Sequence, residues 1–544
     1  MASFTRPQKG REPPAAGGNT ANHQGERGRN KLIAWAAPLL FAAYPAFQIT
    51  AHNIEHVSPL GALRPLLLGL LLAGSCLIIL RGLGWQWLKA GLGALLLVVF
   101  VLSYGQIYQS LKAAHPILSN VVRHRFLLPI SLLVLTAALI VVARWRPPVV
   151  VLSVLAIAGG LGLGQPAIVL GADAWRATRP ATEPFADELI CRGLEATWRP
   201  DIYLIVLDAY ERHDVLLEAH SFDNTPFLAE LEQLGFSIGY GSLSNYRYTA
   251  PSMASLLNMS YVQDLPQPAP QSWVELSRTI RQPRIRSELE CLGYEVIAFD
   301  SGVAWTSWPD ADQFRSQEPN WLHRIGLLGP ISRIEAILLE RSLALAVLDA
   351  VQTSARQLPS WLDPTQEHVG RIHFTFEELA AVAGEASPKF VYAHIVSPHP
   401  PMVLGQDRIE YGAEAFERAF AGQPGQASGD YAAQVDYLNQ LVVTSLRQII
   451  ERSSQPPIII LTGDHGWADD SPEQKLSILH AYLLPGKGAA FYPTITPVNT
   501  FRLVLRQYFG ADLPLLEDRS YYSEGRDLQN FEAVENTWRP RAGD

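Results

Sequence analysis

Five apolar stretches crowd into the first third of this chain, near residues 32–50, 63–80, 88–107, 126–143 and 149–170. Each approaches the roughly 20 residues that an α-helix needs to cross a bilayer. In hydrocarbon every backbone N–H and C=O must find a partner within the protein, so stretches of this kind become helices. Lys31, Arg64, Arg81, Lys89, Arg123, Arg125, Arg144 and Arg146 punctuate their ends. A cleaved signal peptide does not account for the first stretch, because further spans follow and no small-residue cleavage pattern is clear. The basic groups Arg27-Arg29-Lys31, Arg81-Lys89 and Arg144-Arg146 all fall on the cytoplasmic side if the N-terminus is inside. Lys112, Arg123 and Arg125 in the third connection pull against that orientation. With the N-terminus inside and five spans, everything after about residue 171 is expected on the extracytoplasmic side.

The rest of the chain divides around this block. Residues 1–31, rich in Gly, Asn, Pro and Arg, read as a disordered cytoplasmic tail, and 32–170 as five transmembrane helices. Pro180, Pro184 and Pro200 mark 171–200 as a linker. Residues 201–525 form the expected catalytic domain and 526–544 a polar C-terminal tail. Charge changes sign across the linker. Residues 1–180 hold 16 basic and 4 acidic side chains, and 181–544 hold 27 and 48. An acidic second part lacks the basic footprint of a nucleic-acid binder, so no nucleic-acid partner is expected.

Within 201–525, Asp201-Ile-Tyr-Leu-Ile-Val-Leu-Asp208 and Pro457-Ile-Ile-Ile-Leu-Thr-Gly-Asp464 are continuously apolar, as in parallel strands buried on both faces. Tyr294–Phe299 and Phe390–Ile395 are shorter runs of the same kind. Amphipathic stretches such as Thr225–Leu234 and Tyr431–Arg452 alternate with them. The expected architecture is an α-helical membrane domain followed by an α/β domain with a mainly parallel central sheet.

Asp208, Asp300 and Asp464 each close a strand. In open α/β sheets, ligands bind beyond the carboxyl ends of the strands. One such Asp is most simply a turn former. Asp208 together with Asp464-His465 reads as a metal site, with an Asp/His/Asp set that suits Zn²⁺ or Mn²⁺ ahead of Mg²⁺. Gly466 then allows a tight turn or a close approach. A second feature is Ser244-Asn-Tyr-Arg-Tyr-Thr249-Ala-Pro251-Ser-Met, a polar loop entering a helix. Thr249 fits its N-cap, where free N–H groups favour a phosphate or sulfate. Taken alone, Thr249 is only a cap.

Taken in order, these segments resemble the alkaline phosphatase superfamily, in the membrane-bound sulfatase-like branch with lipoteichoic acid synthases and phosphoethanolamine transferases. The resemblance spans roughly residues 200–510. It implies an alkaline phosphatase-like fold, Thr249 as nucleophile, and Asp208, Thr249, Asp464 and His465 around a divalent metal. It implies further that His399 in Phe390-Val-Tyr-Ala-His394-Ile-Val-Ser-Pro-His399-Pro-Pro contacts substrate. Asp300 and His394 are weaker substrate contacts, with a place in the core or behind the ligands favoured for His394, and His480 reads as packing near the sheet in preference to reaching the site. Thr249-Ala-Pro251-Ser252-Met253 departs from the C/S-x-P-S-R pattern of true sulfatases. Oxidation of a threonine would give a ketone instead of the aldehyde of formylglycine, and Met253 stands where that pattern has arginine.

The implied activity is transfer of a phosphoglycerol- or phosphoethanolamine-like group from a lipid-linked donor to a lipid or glycan acceptor, through a covalent Thr249 intermediate. The alternatives are a metal-dependent phosphate- or sulfate-ester hydrolase and a non-catalytic membrane scaffold. The expected location is the cell membrane, with the catalytic domain extracytoplasmic. Ile331–Val351 reads as one amphipathic helix, with packing on the domain core favoured over lying on the bilayer. Tyr492–Leu515 reads as a strand, a turn and the helix Asn499–Phe509. Of three cysteines, Cys191 and Cys291 are expected to be unpaired thiols in preference to a disulfide.

Overall fold

The structure, a computed structural model, describes residues 18–53, 59–114, 122–177, 198–265, 273–317, 331–353, 364–404, 428–468, 471–524, 528 and 530–540. The chain separates into two compact units. One holds Met1–Gln48, Arg64–Ala167 and Leu338–Ala350, and the other holds Ile49–Leu63, Ile168–Ile337 and Val351–Asp544.

The first unit contains all or most of each of the apolar helices α1 (Gly18–His52), α2 (Leu63–Gly82), α3 (Trp87–Ala114), α4 (His124–Arg144) and α5 (Val149–Ala177). All five are long and apolar enough to cross a membrane, the shortest apolar span being 20 residues. At 1.5 Å per residue that is about 30 Å, the thickness of the hydrocarbon layer. Leucines and isoleucines such as Leu133, Leu161 and Ile168 stay exposed, as lipid-facing positions do. Helix α1 begins at Gly18, within the stretch read as a tail, and α5 runs to Ala177. Residues 1–17 and most of the expected linker, 178–197, lie outside the described residues.

The amphipathic stretch after residue 331 is not one helix packed on the domain core. It forms two, α6 (Arg333–Arg341) and α7 (Ala344–Thr353), and Leu338–Ala350 groups with the membrane helices. Leu343 N–H donates to the carbonyl of Val101 in α3 at 2.7 Å. His124 Nε2 meets Asp349 Oδ2 at 2.8 Å, and its ring stacks on Tyr108 at 3.8 Å. A polar pair and a backbone bond tie the segment to α3 and α4 more firmly than its apolar face alone would.

The second unit is built on a seven-stranded sheet: β1 (Ile202–Leu207), β2 (Ser237–Ile238), β3 (Glu295–Phe299), β4 (Gln313–Arg315), β5 (Lys389–Ile395), β6 (Ile458–Gly463) and β7 (His480–Leu483). Their order is β2-β7-β6-β1-β5-β3-β4. β1, β3, β4, β5 and β6 run parallel, while β7 and β2 add an antiparallel edge. The buried runs of β1, β5 and β6 alternate between two cores. Leu204, Val206, Tyr392 and Ile460 face one with the helix α8 (Thr249–Asn258), and Ile205, Leu207, Ala393 and Leu461 face the other. An α/β domain with a mostly parallel sheet thus follows the apolar helices along the chain, the architecture expected from the sequence.

Around Tyr492–Leu515 the expected strand is absent. Prolines 493 and 497 interrupt it, and 3₁₀ turns at Gly488–Ala490 and Pro497–Asn499 lead into the helix Thr500–Phe509. Cys291 is disulfide-bonded, which overturns the expectation of unpaired thiols, and Cys76 is free. Cys191 lies outside the described residues.

Candidate active site

Register and side-chain alternation bring the site together. β1 pairs with β6 as Leu207↔Gly463 and with β5 as Val206↔His394. Asp208 and Asp464, each one residue past its strand, therefore emerge side by side. Both continue the parity of Val206 and His394, so all three point to the face on which α8 packs. Thr249 opens α8 on that same face.

Thr249 is the first helical residue and does not cap the helix. The capping position is held by Tyr248, whose φ of −127° and ψ of 154° supply the extended backbone that a cap needs. The Thr249 hydroxyl is thereby free to meet His465 Nε2 at 3.1 Å. Met253 is buried in the apolar core beneath α8.

Three lone-pair atoms converge here, and His394 Nε2 lies beside them. His465 Nδ1 lies 2.8 Å from the Gly466 carbonyl, which only accepts, so the ring proton sits on Nδ1 and Nε2 is bare. That bare Nε2 faces Asp208 Oδ1 at 3.5 Å and Asp464 Oδ2 at 3.7 Å. Asp464 Oδ1 accepts from the N–H groups of Ala209 (2.9 Å) and His465 (3.0 Å), which aims Oδ2 inward. Asp208 Oδ1, Asp464 Oδ2 and His394 Nε2 are buried and find no hydrogen-bond partner. Buried acceptors left facing one another are costly unless a cation lies among them. Asp208, Asp464 and His465 offer ligand atoms that lie within 4.8 Å of one another, so the residues present fit a divalent metal. The electrostatics agree. Burial, then the charge of Asp464, pushes the Asp208 carboxyl well above its ordinary range. Burial works the same way on Asp464, but His465, His394 and the Ala209 N–H outweigh it and hold that carboxyl low.

The backbone carries strain beside this cluster. Ala209 sits in the left-handed region at φ 63°, which costs a non-glycine residue about 1 kcal/mol or more. Its N–H on Asp464 and its carbonyl, accepting from Tyr431 Oη at 2.6 Å, hold it there. Gly466 approaches the backbone of a neighbouring segment: a Cβ would lie 2.6 Å from the Gln474 carbonyl oxygen. Gly463 is as confined, with a Cβ at 2.4 Å from the Tyr210 carbonyl oxygen. Gly463→Ala must therefore spread β6 from the turn after β1. The expected outcome is a loss of about 1–3 kcal/mol, read as a lower Tm, together with weaker metal retention.

The remaining sequence candidates divide. His394, fully buried on β5, reaches Asp208 Oδ2 at 3.5 Å, and burial pushes its pKa down to about 4. His399 donates its backbone N–H to the Asp208 carbonyl, and its ring stands edge-on to His465 (6.4 Å) and Trp467 (5.8 Å). Asp300 is not in the metal cluster. It accepts from Gly302 N–H and Ser307 Oγ and pairs with Arg371 at 3.8 Å. His480 is structural: its ring bonds Thr462 Oγ1 at 2.7 Å and Tyr482 Oη at 2.5 Å. Burial pushes its pKa down to about 3 from an ordinary 6.5. A depressed histidine stabilises the fold above pH 6.5 and loses that contribution as pH falls toward 3. Stability should drop by about 3 kcal/mol from this residue between pH 7 and 4. His480→Gln should show a shallower loss over that range, measured by urea unfolding at both pH values.

Several residues escaped sequence reasoning. Glu211, fully buried, binds His220 Nε2 at 2.8 Å and accepts from the N–H groups of Trp467 and Ala468, which fixes the loop after Gly466. Ser244 Oγ donates to the Asp464 carbonyl at 2.5 Å. The one signal for Ser244 was its place in the polar loop before Thr249; Glu211 carried none.

A family model described as Sulfatase matches residues 200–501, more than half of the chain. The chain belongs to the sulfatase family, within the alkaline phosphatase superfamily. Members use a divalent metal, as the cluster at Asp208, Asp464 and His465 would. No curated protein sequence matches. Among solved structures, the sulfatase-family chain is similar to the integral membrane lipooligosaccharide phosphoethanolamine transferase A of Neisseria meningitidis. The identity is 10%, over 87% of this chain and 94% of that one, with a TM-score of 0.39. The C-terminal periplasmic domain of EptC from Escherichia coli, in complex with Zn, is 12% identical over 62% of this chain and 94% of its own, TM-score 0.38. The phosphonate monoester hydrolase of Agrobacterium radiobacter is 12% identical over 61% and 81%, TM-score 0.36.

Proposed function

We propose that this chain is a membrane-bound, metal-dependent transferase that moves a phosphate-linked group, such as phosphoglycerol or phosphoethanolamine, from a lipid donor to a lipid or glycan hydroxyl. The observation that carries the reading is Thr249: its hydroxyl stands at a helix N-terminus, 3.1 Å from the bare Nε2 of His465, beside the unpartnered Asp208 and Asp464 oxygens. Asp208, Asp464, His465 and Thr249 would hold the metal, with Zn²⁺ or Mn²⁺ favoured by a mixed nitrogen and oxygen set. A bound divalent metal supplies Lewis acidity and lowers the pKa of the Thr249 hydroxyl.

The protein's own groups do the rest. Thr249 Oγ1 forms a bond to phosphorus as the bond from phosphorus to the lipid alkoxide breaks. The proton lost by Thr249 is matched by one gained on the departing oxygen. An acceptor hydroxyl then attacks the same phosphorus as the bond from phosphorus to Thr249 Oγ1 breaks, and the proton lost by the acceptor is matched by one regained on Thr249. The α8 N-terminus offers the N–H groups of Thr249 and Ala250 to the phosphoryl oxygens, and His399 stands at the half-buried edge where substrate would enter. Met253 on the buried face of α8 and a threonine in place of Cys or Ser weigh against formylglycine chemistry. Five apolar helices favour a lipid donor, and the disulfide at Cys291 favours an oxidising, extracytoplasmic location for this domain.

The test is to incubate purified full-length protein with headgroup-labelled phospholipid and a glycan acceptor, with and without Mn²⁺ or Zn²⁺. Label on the acceptor supports the transferase. Free headgroup alone identifies a hydrolase, and no metal-dependent turnover of either kind defeats both.

A further inference from the structure

His394 presents a choice that His465 does not. A carbonyl fixes the proton of His465, but His394 Nδ1 faces a hydroxyl, Thr306 Oγ1 at 2.9 Å, which can donate or accept. The surrounding hydroxyls decide the direction. Thr306 Oγ1 lies 2.8 Å from Ser301 Oγ, which lies 2.9 Å from Ser307 Oγ, which lies 3.3 Å from Asp300 Oδ1. Ser301, Thr306 and Ser307 are all buried. Each hydroxyl has one proton to give, and the chain ends on groups that only accept. One end is Asp300. The other is the Val303 carbonyl, 3.0 Å from Ser301 Oγ, 3.1 Å from Ser307 Oγ and 3.3 Å from Thr306 Oγ1.

Two backbone donors reinforce this. Ser301 N–H points to Ser307 Oγ at 3.2 Å and Val303 N–H to Ser301 Oγ at 3.0 Å. No backbone N–H among the described hydrogen bonds serves Thr306 Oγ1, and with its own proton given to Ser301 Oγ or the Val303 carbonyl it has a lone pair open to His394 Nδ1–H.

We infer that Asp300, acting through Ser307, Ser301 and Thr306, holds the His394 proton on Nδ1 and so presents a bare Nε2 to the cation bound by Asp208. Asp300 and Thr306 are then positioning residues for the metal centre. The inference rests on the metal reading above and adds Ser301, Thr306 and Ser307, which no strand-end motif carries. It also explains why His394 Nε2 stands 3.5 Å from Asp208 Oδ2 without a hydrogen bond: two acceptors face each other.

The experiment measures Zn²⁺ affinity of the metal-stripped full-length protein in detergent, by competition with a chromophoric chelator, alongside the Tm of the stripped protein. Thr306→Val keeps the shape and removes the hydroxyl. It should bind Zn²⁺ about 10–100-fold more weakly, the usual effect of losing a partner behind a ligand. Thr306→Ser restores the hydroxyl and should stay within about 3-fold of the parent, since second-shell effects run through hydrogen bonding and not the methyl. Asp300→Asn, whose amide can donate back toward Ser307, should weaken binding in the same direction. If Thr306→Val fails to fold, Asp300→Asn against the parent carries the test. Unchanged affinity in Thr306→Val, or an equal loss in Thr306→Ser, overturns the inference while leaving the metal site standing. A parent protein that takes up no Zn²⁺ or Mn²⁺ overturns the metal reading itself.

Discussion

Thr249→Ala should lower metal-dependent turnover by about three orders of magnitude or more while leaving most of the metal bound. Removing a nucleophile abolishes the covalent route, and what survives is catalysis by the remaining electrostatics. The Thr249 hydroxyl is the one O–H aimed at His465 Nε2 among the described residues, and no neighbouring hydroxyl can replace it. Ser252, three residues on, is committed to the Tyr246 carbonyl at 2.7 Å and to Ser244. Asp208, Asp464 and His465 remain to hold the ion. Thr249→Ser keeps the oxygen and should retain substantial activity. Labelled phospholipid turnover and metal content on the same samples check the prediction. Full activity in the alanine variant would remove Thr249 from the mechanism.

Asp464→Ala should cost more, because it breaks the site and its support together. Losing a group behind a ligand already weakens metal binding roughly 10–100-fold, so losing the ligand itself should exceed about 100-fold. Alanine also strands the Ala209 and His465 N–H groups, which both bond Asp464 Oδ1. Each unpaired buried donor costs about 1–3 kcal/mol, and the left-handed turn at Ala209 loses one of its two holds. Asp464→Asn separates the two effects. Its carbonyl oxygen can still accept both N–H groups, so the fold should survive while the uncharged Oδ2 position binds metal poorly. Metal analysis beside urea unfolding distinguishes them. Asp464→Ala with full metal content would defeat the site.

The legible parts of this protein were those that local chemistry writes down. Runs of twenty apolar residues can satisfy their backbone in lipid only as helices, so α2 to α5 were readable from hydropathy alone. Continuous β-rich runs ending in Asp gave β1 and β6 within a residue at either end. The short edge pair β2 and β7 was not readable, because two and four residues of ordinary composition carry no period to detect. The stretch after Ile331 misled for a related reason. An amphipathic face says that a helix will be covered, but not by what, and here a backbone bond to Val101 and the His124–Asp349 pair supplied the partner.

The amino-acid sequence by itself determined which atoms could do chemistry: two strand-end carboxylates, a histidine beside one of them, and a threonine at a helix start. Sheet order decided that they meet. β6 and β5 flank β1 although roughly two hundred residues or more separate them from it in the chain, and nothing in any one segment encodes that adjacency. Register then set Asp208 beside Asp464, and the two-residue alternation of the strands turned both, with His394, toward Thr249. The hydroxyl chain behind His394 belongs wholly to tertiary structure. Its direction follows from where each single proton can go, and that depends on neighbours that only the fold supplies.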